Sequence, residues 1–284
     1  IAAIKPGHWI WLQMAQTYNA IRHVKEAVKA CNKALQFIEK EKWETDRTYK
    51  NARDDATRAS AGAARLQDIR NVYAESKSVL RKNEAEVYMM LGSIFLQERQ
   101  YQKSFDNCRR AINLAPDDYR PHWTLGIALM EIGKKHSQEA CQNLLDAENL
   151  IRDDTGIDSG VRAGLFSDIA KAYSKSGKCR TSLHYYNRSL RLDPDAPNTY
   201  KRLGILFCTW GNHYTNGGEQ WKIGEREKKY NLAIEWLTKA IECGWKTALT
   251  HGVRGQAHQA LGEYEAAIAD YKESLRIEPR QGRV

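Results

Sequence analysis

A spacing of 34 residues constrains this chain more than any other feature, because it requires short elements to fold by stacking on one another rather than around one centre. The clearest copy is AEVYMMLGSIFLQERQYQKSFDNCRRAINLAP, Ala85 to Pro116. Tyr88, Leu91, Gly92 and Phe95 lie three, four and seven residues apart, which gathers them on one face of a helix. Gln97 to Gln100 is a polar break. A second helix is predicted from near Tyr101, with Ser104, Cys108 and Ala111 along one side, and Pro116 closes the unit where another turn would clash. Two helices this short cannot hide their apolar faces from water alone, so they must pack on neighbouring copies.

The pattern resembles the tetratricopeptide repeat, a helix-turn-helix unit with the signature W-x2-L-G-x2-Y, then A-x3-F, then P. Tyr88 stands at the tryptophan position, Leu91-Gly92 forms the Leu-Gly pair and Phe95 replaces the tyrosine. Ser104, Cys108 and Pro116 take the remaining positions. The resemblance implies an all-α fold, an α-solenoid (right-handed superhelix) of stacked helix-turn-helix units whose concave surface is lined mainly by first helices. It further implies a non-enzymatic scaffold or adaptor that binds another protein.

Residues 8–41 form the first copy, on Trp11, Met14-Ala15, Tyr18, Ala27, Cys31 and Ala34. Residues 42–84 hold a degenerate or elongated helical pair with a break near Gly62, since Leu66, Ile69 and Tyr73 keep helical spacing. Further copies occupy 85–118, 119–154, 163–196, 197–247 and 248–281, and the whole of 1–284 reads as a single solenoid. The 119–154 copy gains two residues within Lys134 to Gln138. The 197–247 copy carries a 17-residue insertion within 211–229, GNHYTNGGEQWKIGEREKK. Repeat arrays end on a polar capping helix, yet only Arg280 to Val284 follow Pro279 and the chain opens on Ile1. A cap or further repeats, and any targeting segment, are therefore expected beyond these residues.

Six cysteines are scattered with no C-x-x-C spacing, the usage of reduced thiols inside a cell, so an intracellular, cytoplasmic location is expected. Cys31 and Cys108 fall in the large-residue position of a second helix and read as packing residues. Of eight histidines only His251 and His258 share a helical face, and no H-E-x-x-H, paired-cysteine, phosphate-loop or serine-elbow motif accompanies them. No catalytic residue, metal site or cofactor is expected. No apolar run reaches the roughly 18 residues of a membrane span.

The net charge is +9, and residues 1–84 hold 16 Lys/Arg against 10 Asp/Glu. Arg47, Lys50, Arg53, Arg58, Arg65 and Arg70 permit phosphate contact, which makes an RNA-binding array one alternative. The interleaved Asp46, Asp54, Asp55, Asp68 and Glu75 point instead to a solvated face with local ion pairs.

The repeat register places a partner-binding groove on the first helices: Met89, Trp123, Ile127 and Met130 apolar, grading to Lys171, Lys175, Lys201 and Ile205. Such a surface suits a partner protein or peptide with apolar anchors and an acidic end, with Trp123 as hot spot. The chaperone-tail clamp of one family subset is not matched, because Met89, Ser93 and Thr124 stand where its lysine and asparagines belong. In the insertion, Tyr214 and Trp221 are candidate loop contacts. A sensor or regulatory arm of a larger enzyme or complex is a second alternative.

Overall fold

The computed structural model describes residues 7–59, 62–215 and 223–279. Among these residues there are twelve α-helices, one short 3-10 helix and no strand. The chain divides into two compact units, Ile1–Asp153 and Asp154–Val284.

The first unit holds α1 (Gly7–Ala20), α2 (Val24–Arg58), α3 (Ala63–Gln97), α4 (Tyr101–Leu114), α5 (Tyr119–Ile132) and α6 (Ser137–Ile151). The second holds α7 (Ser159–Lys175), α8 (Cys179–Leu192), α9 (Pro197–Thr215), α10 (Ile223–Glu242), α11 (Ala248–Ala260) and α12 (Tyr264–Ile277). Within each unit, helices adjacent in sequence pack on one another.

Small residues set how closely paired helices approach. A Cβ added to Gly92 of α3 would stand 2.6 Å from Cys108 Sγ of α4, and one added to Gly126 of α5 would stand 2.6 Å from Leu144 Cγ of α6. Neither gap admits a methyl group, so the glycine of the Leu-Gly pair is a packing requirement. Hydroxyls hold the same pairs together: Ser104 Oγ donates to the Gly92 carbonyl and Ser182 Oγ to the Ala170 carbonyl, each at 2.7 Å. Farther along, Ser189 donates to the Ala163 carbonyl and Ser274 to the Ala248 carbonyl, both at 2.8 Å.

The turns between paired helices recur as well. Arg22, Arg99, Gly177 and Gly262 all have positive φ, at 59°, 58°, 75° and 81°. Each is followed by an amide that reaches back five residues, as from Gln100 N to Phe95 O at 2.8 Å and Lys178 N to Tyr173 O at 2.9 Å. This is the Schellman closure of a helix, which favours glycine at the left-handed position.

Residues 42–84 do not form a separate pair of helices. They are the end of α2 and the beginning of α3, each an uninterrupted helix of 35 residues. Their seam is partly polar: the Tyr49 and Tyr73 rings stack at 4.1 Å, and Asp46 accepts from Tyr73 at 2.8 Å and Lys77 at 2.9 Å. Lys42 donates to Glu84 at 2.6 Å, and Ala56 and Leu80 are buried. In the second unit the expected insertion is likewise partly helix, since α9 runs to Thr215 and α10 starts at Ile223. A Cβ on Gly211 would meet the Tyr230 ring at 2.8 Å, and Tyr230 donates to Asn212 at 2.7 Å, so the insertion begins inside the core.

The last helix pair contains a buried charge network. Asp270 on α12 accepts from Arg254 through both oxygens, at 2.7 and 2.8 Å, and lies 2.9 Å from His251 Nδ1. Arg254 also donates to Thr238 on α10 at 3.1 Å, which ties three helices together. Burial works against the Asp270 carboxylate, but hydrogen bonds and charge from Arg254 and His251 outweigh it and hold its pKa below the usual value.

Two substitutions test this account. Gly126→Ala is expected to destabilise the chain by about 1–3 kcal/mol in urea unfolding, because Leu144 must be displaced. Asp270→Asn is expected to cost about 1–3 kcal/mol at pH 7, because it leaves the partly buried Arg254 guanidinium without its counter-charge. The pKa of Asp270 is depressed on folding, so its stabilisation is present above the unfolded carboxylate range near 4 and disappears as pH falls through the lower folded value. Unfolding curves of the two proteins should therefore converge in acid. A constant gap across pH would contradict the assignment.

Candidate functional site

In the second unit, α7 and α9 bring cations together. Arg202 on α9 donates to Asp168 Oδ1 at 2.7 Å and to Ser167 Oγ at 3.0 Å. Ser167 lies 3.4 Å from Thr199, and Thr199 lies 3.5 Å from Ser189. All three hydroxyl residues are buried, so they fix the Arg202 end of the patch from beneath.

Lys201, one residue earlier, is placed differently. Its ammonium sits 4.1 Å above the Trp245 ring, in the turn between α10 and α11. Among the described residues it has no carboxylate partner. Burial, followed by the positive charges of Arg202 and Lys171, pushes its pKa down to about 8. Several other lysines of the chain do sit on acids: Lys77 on Asp46 at 2.9 Å, Lys42 on Glu84 at 2.6 Å and Lys228 on Glu225 at 2.8 Å.

Of the basic residues expected in the groove, Lys171 is therefore close enough to Lys201 to act on its charge. Lys175 is exposed one helical turn beyond Lys171, and Ile205 is half-buried one turn beyond Lys201. Trp245 escaped the sequence reading because it lies in a turn rather than on a first helix. The adjacency of Lys201 and Arg202 was the one signal that α9 carries a doubled charge at this level.

The apolar candidates lie in the first unit. Met89 on α3 is half-buried, with its sulfur 3.7 Å from Ser93 Oγ, and Trp123 and Ile127 on α5 are half-buried. Helices α3 and α5 are in contact. Met130 is different: it is only 5% exposed and offers no surface to a partner. The 3-10 turn Lys134–His136, made possible by the two extra residues of this copy, packs against α5 just beyond it. Trp221 lies outside the described residues, and of Tyr214 only its helical backbone on α9 is described.

The basic stretch on α2 and α3 is partly neutralised within itself, through two of its six candidate residues and Lys77. Arg53 pairs with Asp54 at 3.1 Å, Arg58 with Asp55 at 3.4 Å and Lys77 with Asp46 at 2.9 Å, while Arg47 lies over the Trp43 ring. A cleft of about 690 Å³ at the base of this hairpin mixes signs in the same way, with Arg120 held by Asp118 at 2.7 Å.

Among the described residues no group of three or more His, Cys, Asp or Glu could hold a metal ion, and no helix is long and apolar enough to cross a membrane. Cys31 and Cys108 are buried, and burial pushes both thiols up to about 12, which removes the thiolate needed for reactivity.

Comparison with known proteins places this geometry. Tetratricopeptide-repeat family models match residues 85–118 and 248–281. The photosystem I assembly protein Ycf3 of Synechococcus sp. (strain CC9605) is 24% identical over 103 residues, which are 36% of this chain and 55% of the relative. The chain thus spans about half the length of that curated relative. Among solved structures, PilF of Pseudomonas aeruginosa superposes with a TM-score of 0.51 at 19% identity, over 82% of this chain and 94% of that one. MamA of Desulfovibrio magneticus RS-1, from residue 41 to its end, gives 0.50 at 14% identity, over 69% and 96%. At these identities the superpositions speak for the fold. The chain thus carries tetratricopeptide repeats at 85–118 and 248–281 within an all-helical repeat architecture.

Proposed function

We propose that this chain is a non-enzymatic protein-interaction scaffold whose second unit receives an acidic segment of a partner protein on Lys171, Lys175 and Lys201. The observation that carries the reading is Lys201: a half-buried cation, packed on Trp245 beside two further cations, with no carboxylate partner of its own among the described residues. Holding like charges together out of water costs free energy that an arriving anion offsets, so the patch favours carboxylates over neutral side chains. In the first unit, Met89, Trp123 and Ile127 supply an apolar surface on α3 and α5 for hydrophobic anchors of a partner. A role in holding other proteins together agrees with the assembly function named for the Ycf3 relative. The internal pairing of the α2 and α3 charges weighs against RNA as the partner.

A fluorescein-labelled hexaglutamate peptide provides the test. Wild-type chain is expected to bind it with an affinity that falls as salt rises, and Lys201→Glu is expected to weaken it by about tenfold or more. Hexalysine should not bind. Equal affinity of wild type and Lys201→Glu for hexaglutamate would remove the patch from the function. A leucine-bearing version of the probe should bind more weakly to Trp123→Ala than to wild type if α5 supplies the apolar contact.

A further inference from the structure

One exposed face of α2 carries a single sign of charge. Each residue turns a helix by about 100°, so Lys25, Lys29, Lys33, Lys40, Arg47 and Lys50 fall within an arc roughly 100° wide, along about 38 Å of its length. All six are exposed, and no acidic residue of that stretch falls in the arc. Glu26, Glu39 and Glu44 stand at its margins, where Glu39 pairs with Lys42 and Glu44 with Lys40, both at 3.7 Å. Lys25, Lys29, Lys33 and Lys50 have no acid partner among the described residues. The paired Arg53 lies off this face, and Arg58 lies beyond its end. Two exposed aromatics complete the surface: Trp43 within the arc, and Phe37 beside it, one turn from both Lys33 and Lys40.

We propose that this face of α2 docks the first unit on a bilayer surface rich in anionic lipid. Lysines four residues apart on one helix face repel one another, and a field of negative charge alongside relieves that repulsion. A straight rod of cations meets a plane along its whole length, so all six reach the headgroup phosphates together. α2 is such a rod, because it runs without a break from Val24 to Arg58. Trp43 supplies the apolar part: an indole, with its one polar edge, settles at the boundary between headgroups and acyl chains, and Phe37 follows it there. The opposite side of α2 is already sealed, with Ala27, Cys31, Ala34 and Ile38 buried, so docking needs no unfolding. The helix axis stays at the surface.

A nucleic acid is the competing polyanion, and two observations favour the membrane over it. The phosphates of a duplex curve away from a straight helix, so cations spread over about 38 Å do not all meet them at once. The Arg47 guanidinium also lies 5.4 Å from the centre of the Trp43 ring, over a face on which a base would stack. An interfacial indole needs no free face.

The test is co-sedimentation of the full chain with vesicles of three parts phosphatidylcholine to one part phosphatidylglycerol, with vesicles of phosphatidylcholine alone as control. The chain is expected to bind the anionic vesicles only, with an affinity that falls as salt rises. Each cation beside such a surface is worth about fivefold in partitioning, so the combined change Lys29→Gln, Lys33→Gln and Arg47→Gln should weaken binding about a hundredfold. Lys29→Arg, Lys33→Arg and Arg47→Lys together keep the charge and should bind as wild type does. Trp43→Ala should bind more weakly than Trp43→Phe. Lys201→Glu should match wild type, because it alters the second unit; a hundredfold loss there, with the α2 glutamine variant unaffected, would overturn the proposal. No binding to anionic vesicles at low salt would overturn it too. So would tighter binding of duplex RNA or oligouridylate than of the vesicles at equal salt, lost in the same glutamine variant.

Discussion

The closeness with which two short helices can approach governs everything else in this protein. Where Gly92 meets Cys108 and Gly126 meets Leu144, no Cβ can be accommodated on the glycine side. That contact fixes the rotation of one helix against the next, and the rotation decides which side chains are sealed inside a pair and which face outward. A serine hydroxyl beside the contact, Ser104 in one copy and Ser182 in another, donates to the opposing helix at the same 2.7 Å. The hydroxyl gains a hydrogen bond only if the spacing is right, so packing and polarity reinforce one geometry.

This is why so much of the fold was legible in the sequence. A side chain that must be small, a large one sixteen residues later and a left-handed turn between them leave a signature that survives extensive change at other positions. The turn tolerates Arg22 and Arg99 as well as Gly177 and Gly262, because a helix end closed by two backbone hydrogen bonds can carry the modest strain of a side chain at positive φ. A reader who required glycine there would have lost two repeats. Spacing was the sounder guide.

What the repeat pattern could not express is continuity. Nothing in a 34-residue period says that α2 and α3 run on for 35 residues each, because a helix that outgrows its repeat loses the periodic contacts by which repeats are recognised. Only propensity and the run without proline remained, and these support a helix without saying where it joins its neighbours. Met130 failed for a related reason. Its place on α5 follows from helical spacing, but its burial is decided by what packs against that helix, which spacing does not encode. Trp245 was hidden because the groove was read from the first helices and it lies in the turn between α10 and α11. Asp270 was hidden because a buried carboxylate is inferred from its partners, and Arg254 and His251 become partners only once α11 and α12 pair.

Lys201 and Arg202 show how far two adjacent residues can diverge once the fold is set. One step along a helix turns a side chain by about 100°, enough to carry Arg202 to Asp168 and Lys201 to Trp245. Arg202 is thereby a permanent charge with a permanent counter-charge. Lys201 is a conditional one, able to respond to its surroundings by giving up a proton. An anion that settles against it restores the reason to keep that proton, so proton affinity and anion affinity rise together, each by the factor the other imposes. Burial, then Arg202 and Lys171, lower the proton affinity of Lys201, so in the proposed function an arriving anion favours its charged form.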